Sequence, residues 1–294
     1  MQLGNTTAKI TSQHGLFYNY LINIFSKEYA KGYLEANEHA IHNIKNIIDE
    51  EQIDCNFEFQ DSYVYTDLED EIIKIKHEVS AVNSLGFDAQ YIDNLNVPFN
   101  ALAGIKFKNQ AQFNPLKYVY GLCKSILNNN GEIYENSKVY DIKSSTDGGY
   151  DTFIKNNNVH SKYVIIASHY PIINVPGFYF LKMYQEASYI VGIETNSPLF
   201  SGMYINTKSP TTSFRTADYN GKKILLVCGS EHKVGAKEDL SNCYTNLEKV
   251  AKSLYADSKV LFKWQTQDCV SLDKIPYIGE FSTVMPNVFV ATRF

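Results

Sequence analysis

Two short uncharged runs constrain this chain more than anything else in it: Tyr163-Val-Ile-Ile-Ala167 and Val288-Phe-Val-Ala291. Each is too short and too β-branched for a helix and reads as a strand buried in a sheet. Each also ends in small residues, the form in which a strand delivers its backbone to a ligand.

Helix-rich and strand-rich stretches alternate between and around these runs. Leu21, Ile24, Phe25, Tyr29, Tyr33, Ala40, Ile41, Ile44 and Ile47-Ile48 recur at helical spacing, predicting one long helix or a broken pair over about 15 to 50. Phe57–Thr66 and Leu102–Phe107 read as strands, and Leu68–Leu85 as a helix opened by acidic residues. Leu116–Asn129 reads as a helix stopped by an Asn-Asn-Asn-Gly run, with a strand beginning at Glu132. Paired with Val164–Ala167, that strand gives a right-handed strand-helix-strand return. Gly148-Gly149 marks a polar hairpin turn. Short strands follow at Tyr189–Glu194, Gly202–Thr207, Ser213–Ala217 and Lys223–Cys228, then a surface helix over Leu240–Tyr255.

The 294 residues, 44% of them hydrophobic, fill one large or two modest domains. No run reaches membrane-spanning length and no signal peptide opens the sequence, so a cytoplasmic location without membrane contact is expected. With 27 basic and 32 acidic residues, a net charge of -5 and no basic face, nucleic acid is excluded as a partner. Cys55, Cys123, Cys228, Cys243 and Cys269 are scattered singly, which predicts free, mostly buried thiols and no metal or iron-sulfur site. His39 and His42 lie one helical turn apart but lack a third ligand.

Five patches, in order, carry a resemblance over nearly the whole chain: Gly4-Asn-Thr-Thr-Ala-Lys-Ile-Thr-Ser-Gln-His-Gly15, Asn109-Gln-Ala-Gln-Phe-Asn-Pro-Leu-Lys-Tyr118, Lys162-Tyr-Val-Ile-Ile-Ala-Ser-His-Tyr-Pro171, Leu225-Leu-Val-Cys-Gly-Ser-Glu-His-Lys-Val-Gly235 and Asp273-Lys-Ile-Pro-Tyr-Ile-Gly279. The sequence resembles FAD-dependent oxidoreductases of the D-amino-acid oxidase and glycine oxidase type, and within them a branch sometimes fused to a Rieske domain. Asn114 stands where that branch has His.

The resemblance implies an α/β fold. An incomplete Rossmann-like FAD-binding domain (1–53, 114–174, 266–294) is interleaved with a mainly antiparallel substrate domain (54–113, 175–265). It implies FAD as cofactor and a small polar, amine-type substrate oxidised by hydride transfer. Thr6, Thr7, Val139, Ala167, Ser168, Gly229 and Gly279 are the implied cofactor contacts, with Val139 near adenine. Lys9 steadies charge on the ring and His14 lies near its edge, although Thr11 or Ser12 also reads as a helix cap. Arg215 is the candidate carboxylate ligand, because Thr266-Gln-Asp-Cys269 lacks the Arg found there in relatives; its alternative is a solvated strand residue. Glu231-His232-Lys233 follows a glycine turn at Gly229 and reads as lining the flavin face, or as stabilising the turn, and His169 reads as a satisfied histidine.

The family's Gly-x-Gly-x-x-Gly turn occurs nowhere in these 294 residues. The expectation is a fragment whose phosphate cradle is supplied from outside it, with exposed sheet edges that promote association into an oligomer. The alternative is a cofactor-free remnant serving as a binding module. Arg293, where relatives have Gly, favours the second reading.

Overall fold

The computed structural model describes residues 3–236 and 240–292. Fifteen strands and five α-helices occur among the described residues. In chain order they are β1 (Lys9–Ile10), α1 (Tyr18–Ile24), α2 (Lys27–Glu50), β2 (Glu58–Thr66), α3 (Ile72–Ser84), β3 (Gln90–Asp93), β4 (Ala103–Gln112), α4 (Pro115–Asn128), β5 (Val139–Ser144), β6 (Tyr150–Ile154) and β7 (Asn157–Ser161). There follow β8 (Val164–His169), β9 (Met183–Glu194), β10 (Met203–Asn206), β11 (Thr212–Tyr219), β12 (Lys222–Lys233), α5 (Leu240–Leu254), β13 (Lys259–Ser271), β14 (Tyr277–Glu280) and β15 (Val288–Thr292).

The chain forms two compact units, each assembled from separated segments: residues 1–130, 188–231 and 237–266 in one, and 131–187, 232–236 and 267–294 in the other. The first unit centres on a mixed sheet ordered β1-β4-β2-β10-β11-β12-β9-β13, with β3 also on β4. β2 and β10 run parallel, while β1, β3 and β2 meet β4 antiparallel and β10, β11 and β12 follow antiparallel. The periodic stretch near the N-terminus is the predicted broken pair. Ser26 separates α1 from α2 and caps α2 by accepting from the Tyr29 N–H at 3.1 Å. Tyr18, Leu21, Ile41, Ile75, Ile105 and Phe107 are almost wholly buried there.

α1 is not capped by Thr11 or Ser12. Thr11 accepts instead from the N–H of Gln13 at 2.9 Å, and Ser12 donates to Glu38 at 2.5 Å. The first N–H groups of α1 are taken by a carboxylate from α3: Glu78 accepts from Tyr18 at 2.7 Å and Asn19 at 2.9 Å. The residue is 1% exposed, and burial pushes its carboxyl pKa up despite those donors.

The second unit holds a three-stranded sheet, β14-β15-β8, and a polar meander, β5-β6-β7. The two apolar runs meet here, β15 lying parallel to β8 with Val288 opposite Val164 and Val290 opposite Ile166. Ile142, Tyr150, Ile166, Tyr179, Val288 and Val290 form its core. The predicted hairpin at Gly148-Gly149 joins β5 to β6, with φ values of 95° and 75° that favour glycine.

Two expectations fail in this unit. No strand begins at Glu132; residues 131–138 are irregular, and β5 pairs antiparallel with β6, so α4 does not lead into the strand-helix-strand return. A parallel neighbour for β8 comes instead from β15, far along the chain. The run Tyr163–Ala167 is also buried on one face only: Ile166 is 3% exposed, whereas Tyr163 is 54% and Ile165 71% exposed. Ile278 on β14, opposite Ala291, is 69% exposed.

Candidate functional site

The segment after the first turn leads through Thr6 and Thr7 into β1, where Lys9 joins the first unit's sheet. Thr6 Oγ1 accepts from the Ala8 N–H at 3.1 Å, and Ala8 takes a positive φ of 48°, a sharp bend just before β1. β1 then places Lys9 opposite Gln112 of β4. Lys9 is half-buried there. Burial lowers its pKa from the usual 10.5 to about 8; the nearby Arg215 charge pushes the same way, and Cys228 opposes both.

Arg215 is the second cation, on β11. The solvated-strand alternative is wrong: the residue is 6% exposed. Its Nη atoms donate to the carbonyls of Thr216 and Phe113, each at 3.3 Å, and Nε has no partner. Burial lowers even this guanidinium to about 10, with Asp218 and Glu58 as distant counterweights. Among the described residues neither Lys9 nor Arg215 ion-pairs with a carboxylate. The acids nearest this region are engaged elsewhere, Glu58 with Lys223 at 2.8 Å and Gln112 at 3.2 Å. Gln112 also donates weakly to Thr216 at 3.4 Å, and its Oε1 is buried without a partner. Sequence patterns single out neither Gln112 nor Thr216, whose strands β4 and β11 are separated by β2 and β10 in the sheet order.

A buried and a half-buried cation with no acid paired to either make a candidate anion site by composition. The pair suits a carboxylate or the electron-rich edge of a flavin ring. A fixed cation in such a place destabilises the fold, and the sign of its pH dependence follows. Lys9 has a folded-state pKa below its unfolded value, so the unfolded chain binds more protons between about pH 8 and 10.5 and stability rises with pH across that window. Relative to Lys9→Met, the wild-type chain is expected to gain about 1–3 kcal/mol as pH is raised from neutral to above that window. Urea unfolding of both proteins at the two ends checks this; parallel curves with no relative shift contradict it.

The other predicted residues fall in three places. His14 is exposed, its Nδ1 2.8 Å from Tyr33 Oη, with the two rings edge to face at 5.8 Å. Gly229 lies within β12, opposite Thr212, and not at a turn. A Cβ there would sit 2.3 Å from the Thr211 carbonyl oxygen, so glycine permits a close backbone approach at this point. Glu231 continues the strand and accepts from both the Thr211 N–H and hydroxyl, and the turn comes later, at Val234-Gly235.

Val139, Ala167, Ser168 and Gly279 belong to the second unit. Val139 opens β5 opposite Ile154 and packs on that unit's core. Ala167 and Ser168 are exposed at the end of β8, Ser168 donating to the Tyr170 carbonyl at 2.7 Å. His169 is satisfied as expected, Nε2 accepting from the Cys269 N–H at 3.0 Å. Gly279 pairs with Val290 at a φ of 149°, with open space where a Cβ would stand. The candidate set is thus split, Lys9, Arg215, Gly229, Thr6, Thr7 and His14 in one unit and the remainder in the other. Arg293 lies outside the described residues. All five cysteines are outside disulfides, three of them buried, and no group of three metal-ligating side chains occurs among the described residues. No helix among them is long and apolar enough to cross a membrane.

Comparison with known proteins gives the class. The family model for FAD dependent oxidoreductases, DAO, matches residues 4–294, and the chain belongs to that family. The particular relatives sharpen the picture. The protein YhfW of Bacillus subtilis (strain 168), named as a Rieske 2Fe-2S iron-sulfur protein, is 37% identical over 290 residues, covering 99% of this chain and 57% of its own length. The present chain therefore spans a little over half of that relative. Glycine oxidase from Geobacillus kaustophilus superposes with a TM-score of 0.79 at 15% identity, over 99% of this chain and 78% of its own. L-amino acid deaminase from Proteus vulgaris gives 0.73 at 13%, over 99% and 75%. L-alpha-glycerophosphate oxidase from Mycoplasma pneumoniae, solved with FAD bound, gives 0.69 at 13%, over 99% and 79%. These likenesses establish the mixed α/β fold.

Proposed function

We propose that this chain forms the ring-side and substrate-side part of an FAD-dependent oxidoreductase acting on a small, polar, amine-bearing carboxylate. The observation that carries the reading is the uncompensated pair Lys9 and Arg215, with its unpartnered guanidinium Nε. Relatives named as a glycine oxidase and an L-amino acid deaminase support an amino-acid-like substrate. The division into flavin side (1–53, 114–174, 266–294) and substrate side (54–113, 175–265) is part of this proposal, as is a cytoplasmic setting, which the five thiols suit.

The residues present fit the ring end of the cofactor through two cations with no paired acid, which suit an electron-rich edge. The Gly-x-Gly-x-x-Gly sequence for its phosphate end is not within the 294 residues. FAD, when bound, supplies a two-electron acceptor for hydride. Arg215 holds the substrate carboxylate through Nε, fixing its orientation. Lys9, with a pKa near 8, takes the proton from the substrate ammonium, because only the neutral amine releases hydride readily. Thr6 holds the bend that places Lys9, and Thr7 and the His14–Tyr33 pair are assigned to the ring's edge as part of the same proposal. The exposed apolar face at Tyr163, Ile165 and Ile278 supports self-association as part of the same proposal.

The test is anaerobic mixing of FAD-loaded protein with a panel of small amino carboxylates, followed by flavin absorbance. Bleaching by amino carboxylates, but not by the matching amines without a carboxylate, is expected. A flavin bleached equally by both sets overturns the substrate assignment.

A further inference from the structure

Of the five cysteines, Cys55, Cys243 and Cys269 are buried, and burial pushes the thiols of Cys55 and Cys269 up, away from the reactive thiolate. Cys228 differs. It is half-buried on β12, and antiparallel pairing puts Ser213 opposite Cys228 and Arg215 opposite Leu226. Strand alternation therefore sets Arg215 and Cys228 on one face of the sheet. The Lys9 ammonium lies within electrostatic reach of the same sulfur and of Arg215. Arg215 is more than nine-tenths buried with Nε unpartnered, so its charge is not neutralised by an acid beside it.

A thiol in an electropositive, partly exposed place is the kind that reacts, because the thiolate is the nucleophile. Buried thiols in apolar surroundings do not. We propose that Cys228 is a peroxide-reactive thiol, oxidised to a sulfenic acid within the Lys9–Arg215 site. In this step the Cys228 thiolate attacks one oxygen of hydrogen peroxide, an S–O bond forms and the O–O bond breaks. Hydroxide leaves and takes a proton from the Lys9 ammonium to give water. Sulfur loses two electrons, and the peroxide is reduced by the same two. The proposal does not depend on a bound flavin, since all three side chains belong to one unit of the chain.

The experiment exposes the purified chain to hydrogen peroxide with a sulfenic-acid trap and follows each cysteine by peptide mass spectrometry. Cys123, also half-buried but on α4, serves as internal reference. Cys228 is expected to be trapped at least about tenfold faster than Cys123 near neutral pH, and Lys9→Gln to remove most of that advantage while leaving Cys123 unchanged. A second readout needs no variant: iodoacetamide alkylation of Cys228 reaches its plateau at lower pH than that of Cys123. Equal trapping rates in the wild-type chain, or coincident alkylation profiles, overturn the proposal. So does a folded Lys9→Gln protein in which Cys228 reacts as fast as before.

Discussion

Replacing Arg215 by Met is expected to lower kcat/KM for an amino carboxylate by about 10²- to 10³-fold while leaving the fold as stable as before, or more so. The asymmetry follows from the surroundings. The guanidinium is 6% exposed, has two long bonds to carbonyls and no acid, and its charge is pressed toward neutrality by burial. A buried cation in that state destabilises an empty protein, and a methionine of similar length removes the penalty while filling the space. A substrate carboxylate reverses the sign by supplying the missing anion, and losing a charge-assisted pair of bonds there costs about 3–4 kcal/mol. The readout separates the two: thermal melting of both proteins with and without glycine. The wild type is expected to gain melting temperature with ligand and Arg215→Met to gain none. A variant that melts well below the wild type in the absence of ligand makes Arg215 a structural residue and ends its role as a carboxylate ligand.

The second large effect is at Gly229. The Cβ of Gly229→Ala would stand 2.3 Å from a backbone oxygen of Thr211 and 3.4 Å from Thr212 Cα, so the obstruction is main chain and cannot rotate away. β11 and β12 must separate locally, and a loss of about 2–3 kcal/mol with a matching fall in melting temperature is expected. Gly32→Ala is the control: in the second turn of α2, with nothing within 4 Å of the added carbon, it is expected to stabilise by about 0.5–1 kcal/mol. Calorimetry of the two variants decides the matter. If Gly229→Ala melts with the wild type yet fails to bind FAD, the glycine serves the cofactor and not the strand pair.

How far the sequence reaches is clearest in individual elements. α2, α4 and α5 are legible because their apolar positions recur at helical spacing and because Ser26 and Asn114 announce the starts of α2 and α4. β13 escapes notice: Lys259–Ser271 mixes charged and apolar residues, many of them exposed, without a clean alternation. The polar β7, Asn157–Ser161, is hidden for the same reason. Glu78 reads as an ordinary acid on a helix, and its use as the cap of α1, sixty positions away, depends on packing alone. Within the site, Lys9 is legible through its motif. The burial of Arg215 is not, because Phe113, whose carbonyl it reaches, lies 102 positions away in the chain. Gly229 is visible as a glycine, but local sequence places it at a turn, whereas pairing places it inside a strand.

The most direct measurement is a titration of the purified 294-residue chain with FAD, followed by flavin absorbance and by the melting temperature, for wild type and for the double variant Lys9→Met with Arg215→Met. A perturbed flavin spectrum and a rise in melting temperature are expected for the wild type, both weakened in the double variant. A wild-type chain that leaves the flavin spectrum and its own melting temperature unchanged contradicts the FAD assignment, and leaves the cofactor-free binding module as the reading of this fold.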